Sequence, residues 1–301
     1  MKFLNHFSLS KDLRDSKIIE KELSKLTKKN NYNFKIFFLI DDNVVTCKDV
    51  VFFYETNNIY SDLLEKNNFA YIGKKAKTIF LSSFVSKEKL SFLNKSNILE
   101  YRNIREVLFS NNREISSLVS SGFQLMQWKK DNKFCGKCGF KNRFLSFENS
   151  MICSNQKCLK RIFPRINPTV IVNITYRDKI LLARNRNWKK NLYSCLAGFC
   201  EFNESAEEAV ERESFEETGV ILKEIEYVFS QTWPFQNNLM LGFQAKAKKS
   251  EIIIDKHELE DARWFSYRDL VFSVNNKKLI LPKKHSIARN LIFLWEERFK
   301  N

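Results

Sequence analysis

The chain has 301 residues, 44% of them hydrophobic, with 7 glycines and 4 prolines. That length and composition exclude a disordered or fibrous protein and fit two modest packed domains with a small insert. The formal net charge of +16 runs through the chain without gathering into a basic block, so charge alone does not single out a polyanion as partner. No window approaches the roughly 18 apolar residues of a membrane span, and the N-terminal stretch MKFLNHFSLSKDLRD has no long apolar run after its lysine. A soluble, cytoplasmic protein without membrane contact is the expectation. Of the 7 cysteines, four fall in a metal-like pattern, which suits a reducing compartment better than a disulfide framework.

Residues 1–130 alternate polar, Lys/Asn-rich segments with short apolar runs. FKIFFLI (34–40) and KTIFLSSF (77–84) read as strands, and 104–128 carries apolar residues at helical spacing for one or two helices. An N-terminal α+β domain is expected, with nothing catalytic standing out in it. Residues 131–164 follow as a separate small element. Cys135 and Cys138 form CGKCG, and Cys153 and Cys158 form CSNQKC. Tetrahedral zinc takes four soft ligands, and a C-x2-C followed by glycine is the tight turn whose backbone amides reach the sulfurs. With four ligands and no histidine nearby, the site would be closed and structural. Cys47, Cys195 and Cys200 read as ordinary core or loop residues.

The third segment, 165–301, opens with PTVIVNITY (168–176) and KILLARNR (179–186), two buried strands of one sheet, with further strands expected at 225–230, 239–247 and 262–265. A closing helix is expected over 286–299. The mixed order of elements predicts an α/β sandwich. Between the strands lies GFCEFNESAEEAVERESFEETG (198–219), with eight glutamates. Ser205 and Glu208 make a capping box and Gly219 a C-terminal stop, predicting a helix of about thirteen residues. At 100° per residue Ala206, Ala209 and Val210 share a face that Glu213, Glu216 and Glu217 continue, while Glu208 and Arg212 can pair on the flank. Carboxylates crowded beside an apolar stripe repel one another and raise each other's pKa, a conflict that a divalent cation removes. Oxygen ligands of this kind suit Mg²⁺ or Mn²⁺.

The spacing Gly198-x5-Glu204-x7-Arg212-Glu213-Ser214-Phe215-Glu216-Glu217-Thr218-Gly219-Val220 resembles the Nudix box, departing from it at Ser214, where the family has an aliphatic residue. The resemblance implies a Nudix α/β/α sandwich with a mixed sheet and hydrolysis of a nucleoside diphosphate linked to another moiety. It implies that Glu213, Glu216 and Glu217 hold the metals, Arg212 orients the glutamates and Glu204 supports loop and helix. Downstream, SQTWPFQNNLMLGF (230–243) is similar to the signature of the family's NADH pyrophosphatase branch. Gln231, Trp233, Pro234 and Phe235 match it, while Thr232, Gln236 and Asn238 depart, removing two prolines and a serine. The order of N-terminal domain, four-cysteine ribbon and Nudix domain resembles the same branch, as do WKKDNKFCGKCG (128–139) and RIFPRINPTVIV (161–172). In that branch two aromatics sandwich the nicotinamide, which implies Phe199 and, across a homodimer, Phe163. HELEDARWF (257–265) resembles the late segment that supplies a further metal-binding carboxylate, here Glu258, and SIARNLI (286–292) resembles the substrate-facing helix, with Ala288 near the ligand.

What the resemblance implies is hydrolysis of NADH or NAD⁺ to nicotinamide mononucleotide and AMP, with Glu217 or Glu258 taking a proton from the attacking water. Removal of NAD caps from RNA 5′ ends cuts the same bond on a larger substrate, and another dinucleotide is a further alternative. A silent nucleotide or RNA sensor is the remaining reading, and the intact Glu213, Glu216, Glu217 and Glu258 stand against it.

Overall fold

The computed structural model describes residues 6–10, 13, 32–57, 69–93, 98–110, 112–146 and 148–299. The chain divides into two compact units, His6–Arg165 and the body of Ile166–Asn301. Among the described residues no helix is long and apolar enough to cross a membrane.

In the first unit, β1 (Asn33–Ile40), β2 (Asn43–Cys47), β3 (Val50–Val51), β4 (Tyr54–Thr56), β5 (Phe69–Lys75), β6 (Thr78–Phe84) and β7 (Leu99–Asn103) build one sheet with the order β3-β2-β1-β6-β5. Both apolar runs read from the sequence are its centre: β1 and β6 lie parallel, from Asn33 against Thr78 to Leu39 against Phe84. A short helix α1 (Lys87–Leu93) follows β6, and after β7 the chain forms α2 (Ile104–Ser110) and α3 (Arg113–Asp131). Asn112 starts α3 by accepting the Ile115 amide at 3.0 Å. Gly122 in α3 permits close packing on the sheet, since a Cβ there would lie 2.4 Å from the Phe37 ring. The cysteine ribbon belongs to the same unit: β8 (Asn142–Leu145), β9 (Ser150–Cys153) and β10 (Arg161–Ile162) form an antiparallel sheet.

The second unit is an α/β sandwich. Strands β11 (Asn167–Tyr176), β12 (Lys179–Asn185), β13 (Leu196–Phe199), β14 (Leu222–Trp233), β15 (Asn238–Ala247) and β16 (Leu259–Phe265) form a mixed sheet of order β14-β15-β11-β12-β16, with β13 also on β11. Only β11 and β15 pair in parallel; the other pairings are antiparallel. Alternation along the strands fills two cores. On one face Val170, Val172, Leu181 and Phe243 pack with Ala209 and Val210 of helix α4 (Ala206–Thr218). On the other, Ile171, Leu182 and Met240 pack with Leu270 of α5 (Tyr267–Asn275) and with Ile287, Leu291 and Trp295 of α6 (Ile287–Glu296). The expected helix over 286–299 is α6 followed by a 3₁₀ turn, Glu297–Phe299. Strands β14 and β16 run longer than their apolar stretches, and α5 was not anticipated.

Candidate active site

Helix α4 is built as its local sequence dictates. Ser205 Oγ accepts the Glu208 amide at 3.2 Å while the Glu208 carboxylate accepts the Ser205 amide at 2.8 Å, closing the capping box. Gly219 ends the helix at φ 65°, the left-handed conformation that favours glycine. Ser214, at an aliphatic position of the box, is fully buried, and its hydroxyl donates to the Val210 carbonyl at 2.6 Å, so the polar group is satisfied inside the helix.

The three glutamates do not share one environment. Buried residues of α4 are Ala209, Val210, Ser214, Glu217 and Thr218, a stripe that includes Glu217, leaves Glu213 on its edge and turns Glu216 to solvent. The expected face was therefore too wide: Glu216 lies about 100° from Glu217 on the helix wheel. Arg212 also finds other partners than Glu208, whose carboxylate is taken by the cap. Its Nε and Nη2 donate to the two oxygens of Glu204 at 2.7 and 3.0 Å, a bidentate pair. Its Nη1 reaches Glu213 at 3.0 Å and Glu216 at 2.9 Å, and Nη2 also donates to the Phe199 carbonyl at 2.9 Å. The guanidinium thus ties β13, the following loop and α4 together, and the hydrogen bond from Arg212 holds the Glu204 carboxyl below its ordinary range. Gly198 completes the geometry, because a Cβ there would stand 1.8 Å from Glu213 Cδ. The glycine that opens the box is the space its glutamate occupies.

Glu217 is the exception in this network. It is 8% exposed, and its Oε2 is buried without a hydrogen-bond partner. Burial first, then the charges of Glu213, Glu258 and Asp255, push its carboxyl up to about 8. Burial likewise raises Glu213, against the opposing hydrogen bond from Arg212. The segment 253–255 delivers the neighbouring acids: the Ile253 and Asp255 amides donate to the Thr218 and Glu217 carbonyls at 2.9 and 3.0 Å, covering carbonyls that the helix end leaves open. Asp255 O in turn accepts the amides of Glu258 at 3.3 Å and Leu259 at 2.9 Å, the turn from which Glu258 projects. Asp255 is an acid of this cluster that sequence reading missed; its signal was a carboxylate three residues ahead of Glu258.

Of the other expected ligand residues, Gln231, Trp233 and Phe199 lie at one end of the same sheet. Register rows connect them: Gln231 opposes Met240, Met240 opposes Thr169, and Thr169 opposes Phe199. Gln231 is buried, and its Nε2 donates to the His285 carbonyl at 2.8 Å. Trp233 ends β14, an edge strand, which accommodates the following Pro234. Its ring meets Phe235 edge-on at 5.4 Å. Ala288 is buried in the core beneath Met240, on the sheet face opposite α4. Phe199 is 46% exposed at the end of β13. Phe163 belongs to the first unit, where it is 56% exposed and has the Arg161 guanidinium 5.9 Å from its ring centre.

The ribbon gathers a second set of candidate ligands. Among the described residues, Cys135, Cys138, Cys153 and Cys158 are the group whose ligand atoms all lie within 4.8 Å of one another, a spacing that fits one metal ion. The Lys137 amide donates to Cys135 Sγ at 3.4 Å, and such backbone donors draw that thiol down to about 6. Cys195 is buried in the core of the second unit, and Cys47 and Cys200 are partly buried.

Comparison with known proteins agrees with this geometry. A family model described as NUDIX domain matches residues 165–289. A Pseudomonas putida protein named NAD-capped RNA hydrolase NudC is 40% identical over 198 residues, 66% of this chain and 68% of that protein. One of the same name from Pseudomonas syringae pathovar syringae is 38% identical over 192 residues, 64% of this chain and 66% of that protein. A crystal structure of a NUDIX hydrolase from Nitrosomonas europaea covers 50% of this chain and 97% of its own, at 21% identity and a TM-score of 0.40. The family model lies over most of the unit that carries α4, and the relatives extend the likeness ahead of it: this chain belongs to the Nudix hydrolase family.

Proposed function

We propose that this enzyme hydrolyses the pyrophosphate bond of NADH and NAD⁺, releasing nicotinamide mononucleotide and AMP, and that the NAD cap of an RNA 5′ end is a second form of the same substrate. The observation that carries the reading is Glu217: its carboxyl is buried with an unpartnered oxygen among Glu213, Glu258 and Asp255, an arrangement that a divalent cation would balance. The donor set fits Mg²⁺ or Mn²⁺, since it offers carboxylate oxygens alone, and Glu213, Glu216, Glu217 and Glu258 would hold the ions. Bound there, such an ion neutralises pyrophosphate oxygens and makes water a stronger nucleophile. The protein's own share is positional. Arg212 and Glu204 fix the loop against the helix. Glu217 or Glu258 takes the proton of the attacking water. Phe199 and Trp233 offer aromatic faces at the sheet end where a nicotinamide ring can stack.

The dinucleotide assignment leans on the Gln231-Thr232-Trp233-Pro234-Phe235 stretch and on the name of the Pseudomonas relatives, which favours capped RNA as the second reading. Zinc in the cysteine ribbon, closed and structural, is part of the proposal, as are a cytoplasmic setting for these free thiols and a homodimer in which the partner copy's exposed aromatic completes the stack over Phe199. The deciding measurement is release of AMP or monophosphate ends from NADH, NAD⁺, ADP-ribose, diadenosine polyphosphates and NAD-capped RNA, with Mg²⁺ and with Mn²⁺. NADH, NAD⁺ or capped RNA should be the best substrate; a clear preference for ADP-ribose or a diadenosine polyphosphate would refute the assignment.

A further inference from the structure

The basic excess that looks diffuse along the chain is concentrated by the fold. Residues 179–200 contain no Asp or Glu and five basic residues, Lys179, Arg184, Arg186, Lys189 and Lys190. Residues 270–295 also contain no Asp or Glu and carry Lys277, Lys278, Lys283, Lys284 and Arg289. These two stretches meet side by side: Leu192 and Ile280 form a parallel bridge, the Tyr193 amide donates to Ile280 O at 3.0 Å, and the Ile280 amide donates to Asn191 O at 2.7 Å. Arg186, Lys189, Lys190, Lys277, Lys278 and Lys284 are exposed, and among the described residues no carboxylate pairs with Arg186, Lys189 or Lys190.

Both ends of this surface are tied to the candidate active site. The Arg186 amide donates to Glu258 O at 3.1 Å, and its guanidinium donates to Lys256 O at 2.6 Å, so the first stretch abuts the segment that carries Glu258. The second stretch ends at His285, whose carbonyl accepts from Gln231 Nε2. Two residues after Arg186 stands Trp188, 41% exposed. Its carbonyl accepts from Arg184 Nη1 at 3.3 Å, and Arg184 is itself nearly buried and paired with Glu260. A surface meant only for solubility has no use for an indole held outward on a fixed backbone. A row of exposed cations with one exposed aromatic is the pattern that single-stranded nucleic acid takes, phosphates along the cations and a base on the ring.

Resting on the pyrophosphatase reading, we propose that residues 186–190 and 277–284 form a ledge that holds the phosphate backbone of a single-stranded RNA whose 5′ end lies among the glutamates, with Trp188 stacking one of the first bases. The small dinucleotide needs none of this surface; a capped RNA uses all of it. The ledge therefore discriminates between the two substrates that the chemistry treats alike.

The test uses the full chain carrying Lys189→Gln, Lys190→Gln and Lys284→Gln together and, separately, Trp188→Ala. Binding of uncapped single-stranded RNA is read by fluorescence anisotropy over a salt series without divalent ions, and kcat/KM is read on NAD-capped RNA and on NADH. The triple variant should weaken RNA binding by roughly tenfold at low salt and flatten the plot of log affinity against log salt by about 2, at about 0.7 for each lost phosphate contact. Trp188→Ala should weaken binding about fivefold or more with the salt slope unchanged. In both, kcat/KM on capped RNA should fall in parallel while that on NADH stays within about twofold, and unchanged melting temperatures show that the fold is intact. RNA affinity and salt slope unchanged in the triple variant would overturn the ledge, as would equal losses on NADH and capped RNA, or loss of binding to anionic phosphatidylserine vesicles with RNA binding retained. If the unmodified enzyme cleaves neither NADH nor capped RNA, the pyrophosphatase reading fails on its own, and the anisotropy arm still decides the ledge.

Discussion

The molecule holds two sets of four candidate ligand side chains, built on opposite plans. Cys135, Cys138, Cys153 and Cys158 converge from turns of one small hairpin sheet until every sulfur lies within 4.8 Å of the others. Glu213, Glu216 and Glu217 sit on one helix, Glu258 comes from a turn some forty residues on, and their carboxylates remain in unlike surroundings. On the helix one is tied to Arg212 and half-buried, one is bound to Arg212 but exposed, and one is buried with an oxygen unpartnered. The sulfur set has no place left for a substrate, as a structural site requires. The carboxylate set keeps an unpartnered oxygen on its buried side, at Glu217, and an exposed carboxylate on its outer side, at Glu216. A site that only holds the fold together can be satisfied completely, whereas a site that does chemistry must keep a deficit.

That contrast can be broken most sharply at Glu217. Glu217→Gln should lower kcat on NADH by at least ~10³-fold while leaving zinc content and circular dichroism unchanged; activity within tenfold of normal would place the deficit elsewhere. Gly198→Ala should come next, because its Cβ would stand 1.8 Å from Glu213 Cδ and the carboxylate must move by an ångström or more. The expected loss is about 10²-fold in kcat/KM, with a melting temperature lower by a few degrees. On the sulfur side, Cys138→Ser should take bound zinc, measured by elemental analysis, from about one ion per chain to nearly none and expose residues 131–164 to proteolysis. Its effect on NADH turnover should stay below tenfold if the ribbon is structural.

The smallest effect is in pH. The folded protein binds the Glu217 proton more tightly than the unfolded chain does, with the carboxyl pushed up to about 8 from an ordinary 4.5. In buffer free of divalent ions its contribution to stability is complete below pH 4.5, declines as pH rises through 8, and amounts to about 1–3 kcal/mol. Thermal midpoints at pH 5 and pH 8 should show the decline, Glu217→Gln should flatten it, and Mg²⁺ should reverse it.

Local features were legible in the chain, and features made by distant contacts were not. Helix α4 could be drawn from Ser205, Glu208 and Gly219 because cap and stop are encoded within a turn of where they act. The four cysteines were legible for the same reason, each pair lying within a few residues. Glu216 was misplaced because a helical wheel gives angles and not the width of the neighbour that α4 packs on. The partners of Arg212 were misjudged because Glu208 is consumed by the cap and the loop after Gly198 brings Glu204 within reach. Asp255 became part of the site only through the pairing of residues 253–255 with the end of α4. The basic ledge was invisible for a stronger reason: its halves are about ninety residues apart, and only the contact of Leu192 with Ile280 makes them one surface.

Arg212 bears on how firmly a cation can be held. By pairing with Glu204, Glu213 and Glu216 from within the chain, its single positive charge offsets part of the repulsion in the carboxylate cluster. The loop after β13 is tied to α4 through this side chain, with Arg212 bonded to Glu204 and to the Phe199 carbonyl. A divalent ion held by Glu213 and Glu216, as proposed, would have to compete with that guanidinium, which would limit how tightly it is retained. In the ribbon the four thiols converge within 4.8 Å of one another, and an ion they held would meet a complete set of soft ligands.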